Sequence, residues 1–476
     1  MSPSDCKVWR HCLCLMGFVL GTTQIHGAPA IYANPNLPTE NERVILTIRL
    51  EDQAETTQTV RVSVHDQDGE RVMSEDLAVV YTPERGQAST TWGAGKNGLY
   101  RVSLSSETFP EKDMLLPVLC RERVLDFAWY SHRPWIRWAT VFTSCNEDAM
   151  PVLRLRGIKG LKWRGGLREP KDGHYGTLEE TRRWARAYYR APDDFPFDGY
   201  GIDEFGGYPQ SLEEEHTHAW LRGLIDARKD FPKDFYVAGW HCGGVRDEAV
   251  GLYKDALDLA LLESYVFHWV PKELGTENIY EDLRNRLIST RGADALVRSY
   301  GSPCKALLSL DITGGKGTTA PNLGEFEQVV RRIRRICPEM RGIGFFNGSA
   351  THEQVERFAH DICLEYFIKP VVTFQPNSVW IERRDGQRML VAAVSNIGGM
   401  DSGPVTVSIK VNGKSVAAKA LDSVPAGHDR RNNRAFLSLD WTPPRSGTYR
   451  IEAEIVDAPG STVLDPIVRE ERFLRP

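Results

Sequence analysis

The sequence predicts a multidomain α/β plus all-β protein: a (β/α)8-type barrel flanked by two β-sandwiches. Three observations carry that prediction. The 476 residues suffice for about three domains at roughly 150 residues each. Hydrophobic periodicity is two near both ends and mixed in the middle. The middle alternates short apolar segments with helical patterns, the signature of strands joined by crossover helices.

Taken in order, residues 1–30 read as a secretory signal peptide. Lys7 and Arg10 precede the apolar run Cys12–Leu20, and Ala28-Pro29-Ala30 supplies small residues for cleavage. The run is too short to span a bilayer, and no later stretch reaches the roughly 18 apolar residues of a span. The expected location is secreted or periplasmic. Three of the nine cysteines leave with the signal. The other six, Cys120, Cys145, Cys242, Cys304, Cys337 and Cys363, form up to three bridges or stay as buried thiols. Hydrophobic residues at 41% and charged residues at 26% exclude wholesale disorder, and a net charge of −5 gives no electrostatic reason for a nucleic-acid partner.

Residues 31–118 alternate with period two in Val44–Leu50, Val60–Val64 and Leu99–Leu104, with turns at Asp66–Gly69 and Lys96–Gly98. That is an N-terminal β-sandwich. Residues 119–369 hold strand candidates Val124–Trp129, Arg137–Phe142, Ile158–Trp163, Gly199–Asp203, Phe235–Gly239, Leu259–Leu262, Ala306–Leu310 and Gly342–Phe346. Helical patterns at Leu178–Tyr189, Leu212–Asp230, Ile279–Arg291 and Leu323–Ile336 separate many of them. No helix fits between Trp129 and Arg137, so a seven-stranded barrel and an open doubly wound sheet stay as alternatives. Residues 370–476 return to period two around Asn412-Gly413 and Ser446-Gly447 turns. The stretch Ser395-Asn396-Ile397-Gly398-Gly399, followed by Gly403–Gly413, resembles the CARDB type of immunoglobulin-like bacterial module. The resemblance covers about half the block and implies a spacer or adhesive appendage.

Barrel sites form at the C-terminal ends of the strands. The acids ending strands are Asp203 and Glu204, Glu263, and Asp311. Each alone also reads as an N-cap or half of an ion pair. Together at one barrel end they suit glycoside cleavage, which needs one acid at the leaving oxygen and one base or nucleophile at the anomeric carbon.

The segment Phe197–Phe205 is similar to two sugar-cleaving barrel families. Family 18 chitinases carry Asp-Gly-x-Asp-x-Asp-x-Glu at strand four. Here Asp198, Gly199 and Asp203 match, while Gly201 replaces the middle Asp and Phe205 stands where the acid belongs. Family 20 hexosaminidases end the strand in an adjacent Asp-Glu pair, matched by Asp203 and Glu204 without the preceding glycines and His. The resemblance implies Glu204 as general acid and Asp203 as its orienter or as support for an acetamido group. Counting strands instead pairs Glu204 after strand four with Asp311 after strand seven, and Glu263 after strand six competes for the same role.

Eight of the twelve tryptophans lie between residues 129 and 269, where flat rings can stack on sugar C–H faces. Trp163, Arg164, Trp240, His241, Tyr265, Trp269 and Asn347 stand at or just after strand ends and are the candidate substrate contacts. Trp184 and Trp220 fit helical core packing. Gly314–Gly317 and Gly342–Asn347 lack the spacing of phosphate and dinucleotide loops, and no Cys/His spacing suits zinc. Arg331–Arg335 reads as a solvated helix face. The expected function is a secreted glycoside hydrolase without cofactor, acting on a poly- or oligosaccharide. A non-catalytic carbohydrate-binding or adhesion protein is the alternative, and a metal-dependent hydrolase using the same acids is a third.

Overall fold

The computed structural model describes residues 29–50, 58–82, 85–129, 137–166, 176–203, 214–241, 250–264, 305–313, 322–348, 351–384, 386–426, 433–441, 446–464 and 467–473. Contact density divides the chain into two compact units. The first is centred on Ile45–Trp92 and Arg101–Met114. Its strands belong to two four-stranded sheets, ordered β1-β2-β6-β5 and β4-β3-β7-β8. They are β1 (Ala30–Asn34), β2 (Arg43–Leu50), β3 (Thr59–His65), β4 (Arg71–Ala78), β5 (Val80–Tyr81), β6 (Gly86–Gly93), β7 (Gly98–Ser105) and β8 (Lys112–Val118). Alternate residues Val60, Val62 and Val64 of β3 are fully buried, as are Val102 and Leu104 of β7. That alternation is what a strand with one solvated face requires.

The second unit contains a closed barrel of eight parallel strands. These are β9 (Val124–Phe127), β10 (Val141–Phe142), β11 (Lys159–Gly165), β12 (Gly199–Asp203), β13 (Tyr236–His241), β14 (Leu259–Ser264), β15 (Ala306–Asp311) and β16 (Gly342–Phe346). The second strand is shorter than the Arg137–Phe142 expected from sequence. Its would-be first half is bound elsewhere: the backbone N–H groups of Arg137 and Trp138 both donate to His360 Nε2, at 2.8 and 3.2 Å. Trp138 also stacks on the His360 ring, 5.6 Å between centroids. The described residues between β9 and β10 contain no helix, and this stack packs them onto helix Glu353–Cys363.

Helices Leu178–Tyr188, Glu214–Arg228 and Leu323–Ile336 agree with the sequence reading to within two residues at each end. Thr177 and Glu180 form a reciprocal capping box at the first, and Asn322 caps the last. The pattern at Ile279–Arg291 lies outside the described residues. Helix Leu323–Ile336 buries Phe326, Val329, Val330 and Ile333, and Phe326 meets Phe345 of β16 edge-on. Arg331–Arg335 is not a wholly solvated face. Arg334 is fully buried over the Phe367 ring and donates to the carbonyls of Met340 and Ile397. Cys120, Cys145, Cys337 and Cys363 are buried free thiols, while Cys242 and Cys304 lie outside the described residues.

After the barrel, two further four-stranded sheets enclose a shared core of Val372, Val394, Val407, Ile409, Ile451 and their neighbours. Asn396 organises the Asn-Ile-Gly-Gly turn. Its Oδ1 accepts from the N–H groups of Val371 and Gly398, and its Nδ2 donates to the carbonyls of Met400 and Val424. Among the described residues no helix is long and apolar enough to cross a membrane.

Candidate functional site

Which strand residues face the lumen follows from the ladder. Phe127, Phe142 and Phe345 are level in register, and Phe345 meets a helix residue, so this row faces the helices. Period two then turns Asp126 of β9 inward. Its level partners continue inward around the barrel: Gly344 of β16, Ser309 of β15 and Glu263 of β14. One step of two residues toward the C-terminal mouth lie Phe346 and Asp311, paired with each other. On the other side, Trp163 of β11 is level with Gly201, and Gly165 with Asp203 of β12. Gly201 is required there, because a Cβ would lie 1.9 Å from the Thr143 carbonyl oxygen.

The structure thus brings Asp203, Glu263 and Asp311 to inward positions at the C-terminal ends of β12, β14 and β15. Glu263 and Asp311 are buried, and Asp203 is half-buried. Parallel strands lie ~4.8 Å apart and two residues advance ~6.6 Å, so the Glu263 and Asp311 Cα atoms are about 8 Å apart. Asp311 Oδ1 accepts from the N–H and hydroxyl of Thr313, both at 2.8 Å, which fixes its carboxyl plane. Glu204, Tyr265 and Trp269 lie outside the described residues.

Aromatic side chains line the same end. Trp163 is 38% exposed, and Trp240 is buried edge-on to Phe346, 6.4 Å between centroids. Trp240 Nε1 and Ser309 Oγ are buried with no hydrogen-bond partner among the described residues.

Three expected substrate contacts are placed elsewhere. Arg164 points at the helices, its guanidinium over the rings of Tyr188 and Tyr200 at 5.5 and 5.2 Å. His241 packs edge-on against Tyr253 of helix Val250–Ala256, and burial pushes its pKa down to about 3. Asn347 is a tie rod. It accepts from the Trp129 N–H, donates to the Trp129 carbonyl, and donates to Glu356 at 2.7 Å. A strand-end position cannot tell an inward side chain from an outward one, which is why these three stood among the candidates. Asp198, matched to the chitinase motif, lies at the opposite end of β12. It accepts from the Gly160 N–H at 3.0 Å and lies 3.6 Å from Arg154. A groove of about 440 Å³ opens at that N-terminal end, lined by Arg154, Lys159, Phe197, Asp198, Asp234 and Phe235.

The strand-end rule missed Asp126, which is mid-strand. It is fully buried, and burial pushes its carboxyl up to about 8, against the pull of hydrogen bonds from Thr143. An acid inside the apolar run Val124–Phe127 was the available signal. Ser309, between Leu308 and Leu310, carried the same kind of signal. Among the described residues no three His, Cys, Asp or Glu side chains converge as a metal site.

No protein-family model and no curated protein matches the chain. Solved structures similar to it are glycoside-active enzymes. A Bacteroides uniformis β-glucuronidase aligns over 94% of this chain and 60% of its own, at 10% identity and a TM-score of 0.31. A Paenibacillus cycloisomaltooligosaccharide glucanotransferase aligns over 92% and 71%, at 9% and 0.34. A Dictyoglomus thermophilum β-D-mannosidase aligns over 93% and 66%, at 10% and 0.31. Superpositions this loose assign no chemistry. The barrel is established by its own closed ladder.

Proposed function

We propose that the chain is an exported glycoside hydrolase acting on a poly- or oligosaccharide. The observation that carries this reading is the convergence of Asp203, Glu263 and Asp311 on one barrel mouth, beside the half-exposed ring of Trp163. Glu204, next to Asp203, is assigned the general acid that protonates the leaving oxygen. Glu263 or Asp311 then serves as nucleophile or base at the anomeric carbon. Trp163 offers a face for the sugar ring. The adjacent Asp203–Glu204 pair also supports an acetamido-assisted route, in which Asp203 holds the substrate's own acetamido group. The signal-like N-terminus supports export, and the Asn396 turn with its sandwich supports an immunoglobulin-like, CARDB-type appendage. The test is product release from a polysaccharide panel by the purified protein. Glu204→Gln should lose roughly 10²–10⁴-fold in rate without loss of stability. Near wild-type turnover moves the acid to Glu263.

A further inference from the structure

We propose that the groove at the N-terminal end of the barrel is a second binding site, one that holds a neutral sugar and does no chemistry. The groove's own residues carry this, so it stands or falls apart from the hydrolase reading. Strand β11 runs from Lys159 in the groove to Gly165, level with Asp203. At ~3.3 Å per residue the groove therefore lies about 20 Å from the mouth.

Its floor is apolar and preformed. Phe197 and Phe235, 7% and 9% exposed, both pack on Phe195, with ring centroids 5.4 and 5.7 Å away. A floor already fixed by packing costs a ligand little side-chain ordering. Around it stand two cations, Arg154 and Lys159, and two carboxylates, Asp198 and Asp234. Arg154 donates from Nη2 to the Pro196 carbonyl at 2.7 Å, and its Nε lies 3.6 Å from Asp198 Oδ1. Asp198 Oδ2 accepts from the Gly160 N–H at 3.0 Å, which fixes the carboxyl plane. The Lys159 ammonium lies 5.4 Å over the ring of Tyr236, at the start of β13. Asp234 is exposed in the turn closed by the Phe235 N–H and the Pro232 carbonyl. The volume of about 440 Å³ falls within the roughly 300–1,000 Å³ of small-molecule pockets.

Charge balance selects the ligand class. An anion attracted by Arg154 and Lys159 also meets Asp198 and Asp234, and a cation meets the reverse. A purely apolar ligand strips water from four charges and returns no hydrogen bond. A zwitterion gains little, because ion pairs at exposed groups contribute little in water. A sugar ring suits every part. Its hydroxyls donate to the carboxylates and accept from the cations, while its C–H face covers the phenylalanines.

The experiment is calorimetric titration of the full chain with neutral glucose, mannose and N-acetylglucosamine oligomers, oligogalacturonate, oligoglucosamine and a dipeptide. Wild type should bind at least one neutral oligomer, and more tightly than either charged one. Asp234→Asn leaves the groove net positive and Lys159→Met leaves it net negative. Each should weaken neutral binding about 3–10-fold. Asp234→Asn should gain affinity for oligogalacturonate, and Lys159→Met for oligoglucosamine. Neutral affinity unchanged in either variant overturns the proposal, as does tighter binding of a charged oligomer or of the dipeptide by wild type. Binding of no neutral oligomer overturns it too. Product release from a glycan, with glycan affinity unchanged in both variants, overturns it while sustaining the hydrolase reading. Neutral binding weakened in both variants, with no product released from any glycan, sustains it while overturning the hydrolase reading.

Discussion

Asp126 accepts both polar groups of Thr143, the backbone N–H and the hydroxyl, each at 3.2 Å. The pair joins the first two barrel strands on the lumen side. Burial dominates and raises the Asp126 carboxyl from 3.8 to about 8. The protonated form is therefore the one that suits the fold. Its stabilisation is complete below the unfolded value near 4 and is lost as pH rises toward 8. At ~1.4 kcal/mol per unit, this group costs on the order of several kcal/mol across that window. Asp126→Asn, which mimics the protonated acid, should gain stability relative to wild type as pH rises from 5 to 8. Urea denaturation at both ends of that range is the check, and an unchanged difference defeats it.

His360 carries the opposite sign. Burial lowers its pKa below the usual imidazole value, with Arg137 and Arg156 adding to the effect and Asp361 opposing it. The neutral ring is needed because Nε2 accepts two backbone N–H groups. Stability is present above the unfolded pKa of about 6.5 and falls as pH drops below it. Amide exchange at Arg137 and Trp138 should accelerate below that point more than exchange in the barrel strands. Uniform protection through acid pH would refute the assignment.

Asn347→Ala should be a stability variant. It removes three hydrogen bonds and one partner of the fully buried Glu356, at a cost of about 2–4 kcal/mol. Glycan affinity measured well below the melting point should stay at the wild-type value. A selective loss of affinity with normal melting would return Asn347 to the substrate contacts.

Arg334→Lys should not rescue the junction it occupies. The guanidinium reaches two carbonyls at once and lies 4.6 Å over Phe367, which a single ammonium cannot reproduce. A loss of roughly 2–4 kcal/mol in chemical denaturation is expected. A variant as stable as wild type would mean the stack and the two carbonyls contribute little.

Local pattern was enough for the architecture. Near-continuous apolar runs such as Ala306–Leu310, between helical patterns, specify parallel strands buried on both faces. Alternation in Val60–Val64 specifies a sheet with one wet face. The same logic nominated Asp203, Glu263 and Asp311, because strand ends are readable from where an apolar run stops. The short β10 was not readable, because its missing half is claimed by His360, more than 200 positions later in the chain.

By itself, the sequence determined the barrel between two sandwiches and the acids that end its strands, since periodicity and burial are set by neighbours in the chain. Only the tertiary structure decided which of those side chains enter the lumen. Barrel closure sets the register, and a one-residue step in register turns a side chain from lumen to helix. That step separates Trp240 from His241, and Trp163 from Arg164. It also places Asp126, unremarkable in Val124–Phe127, level with Glu263 around the ladder. Its burial there, and hence its raised pKa, comes from the seven strands that surround it.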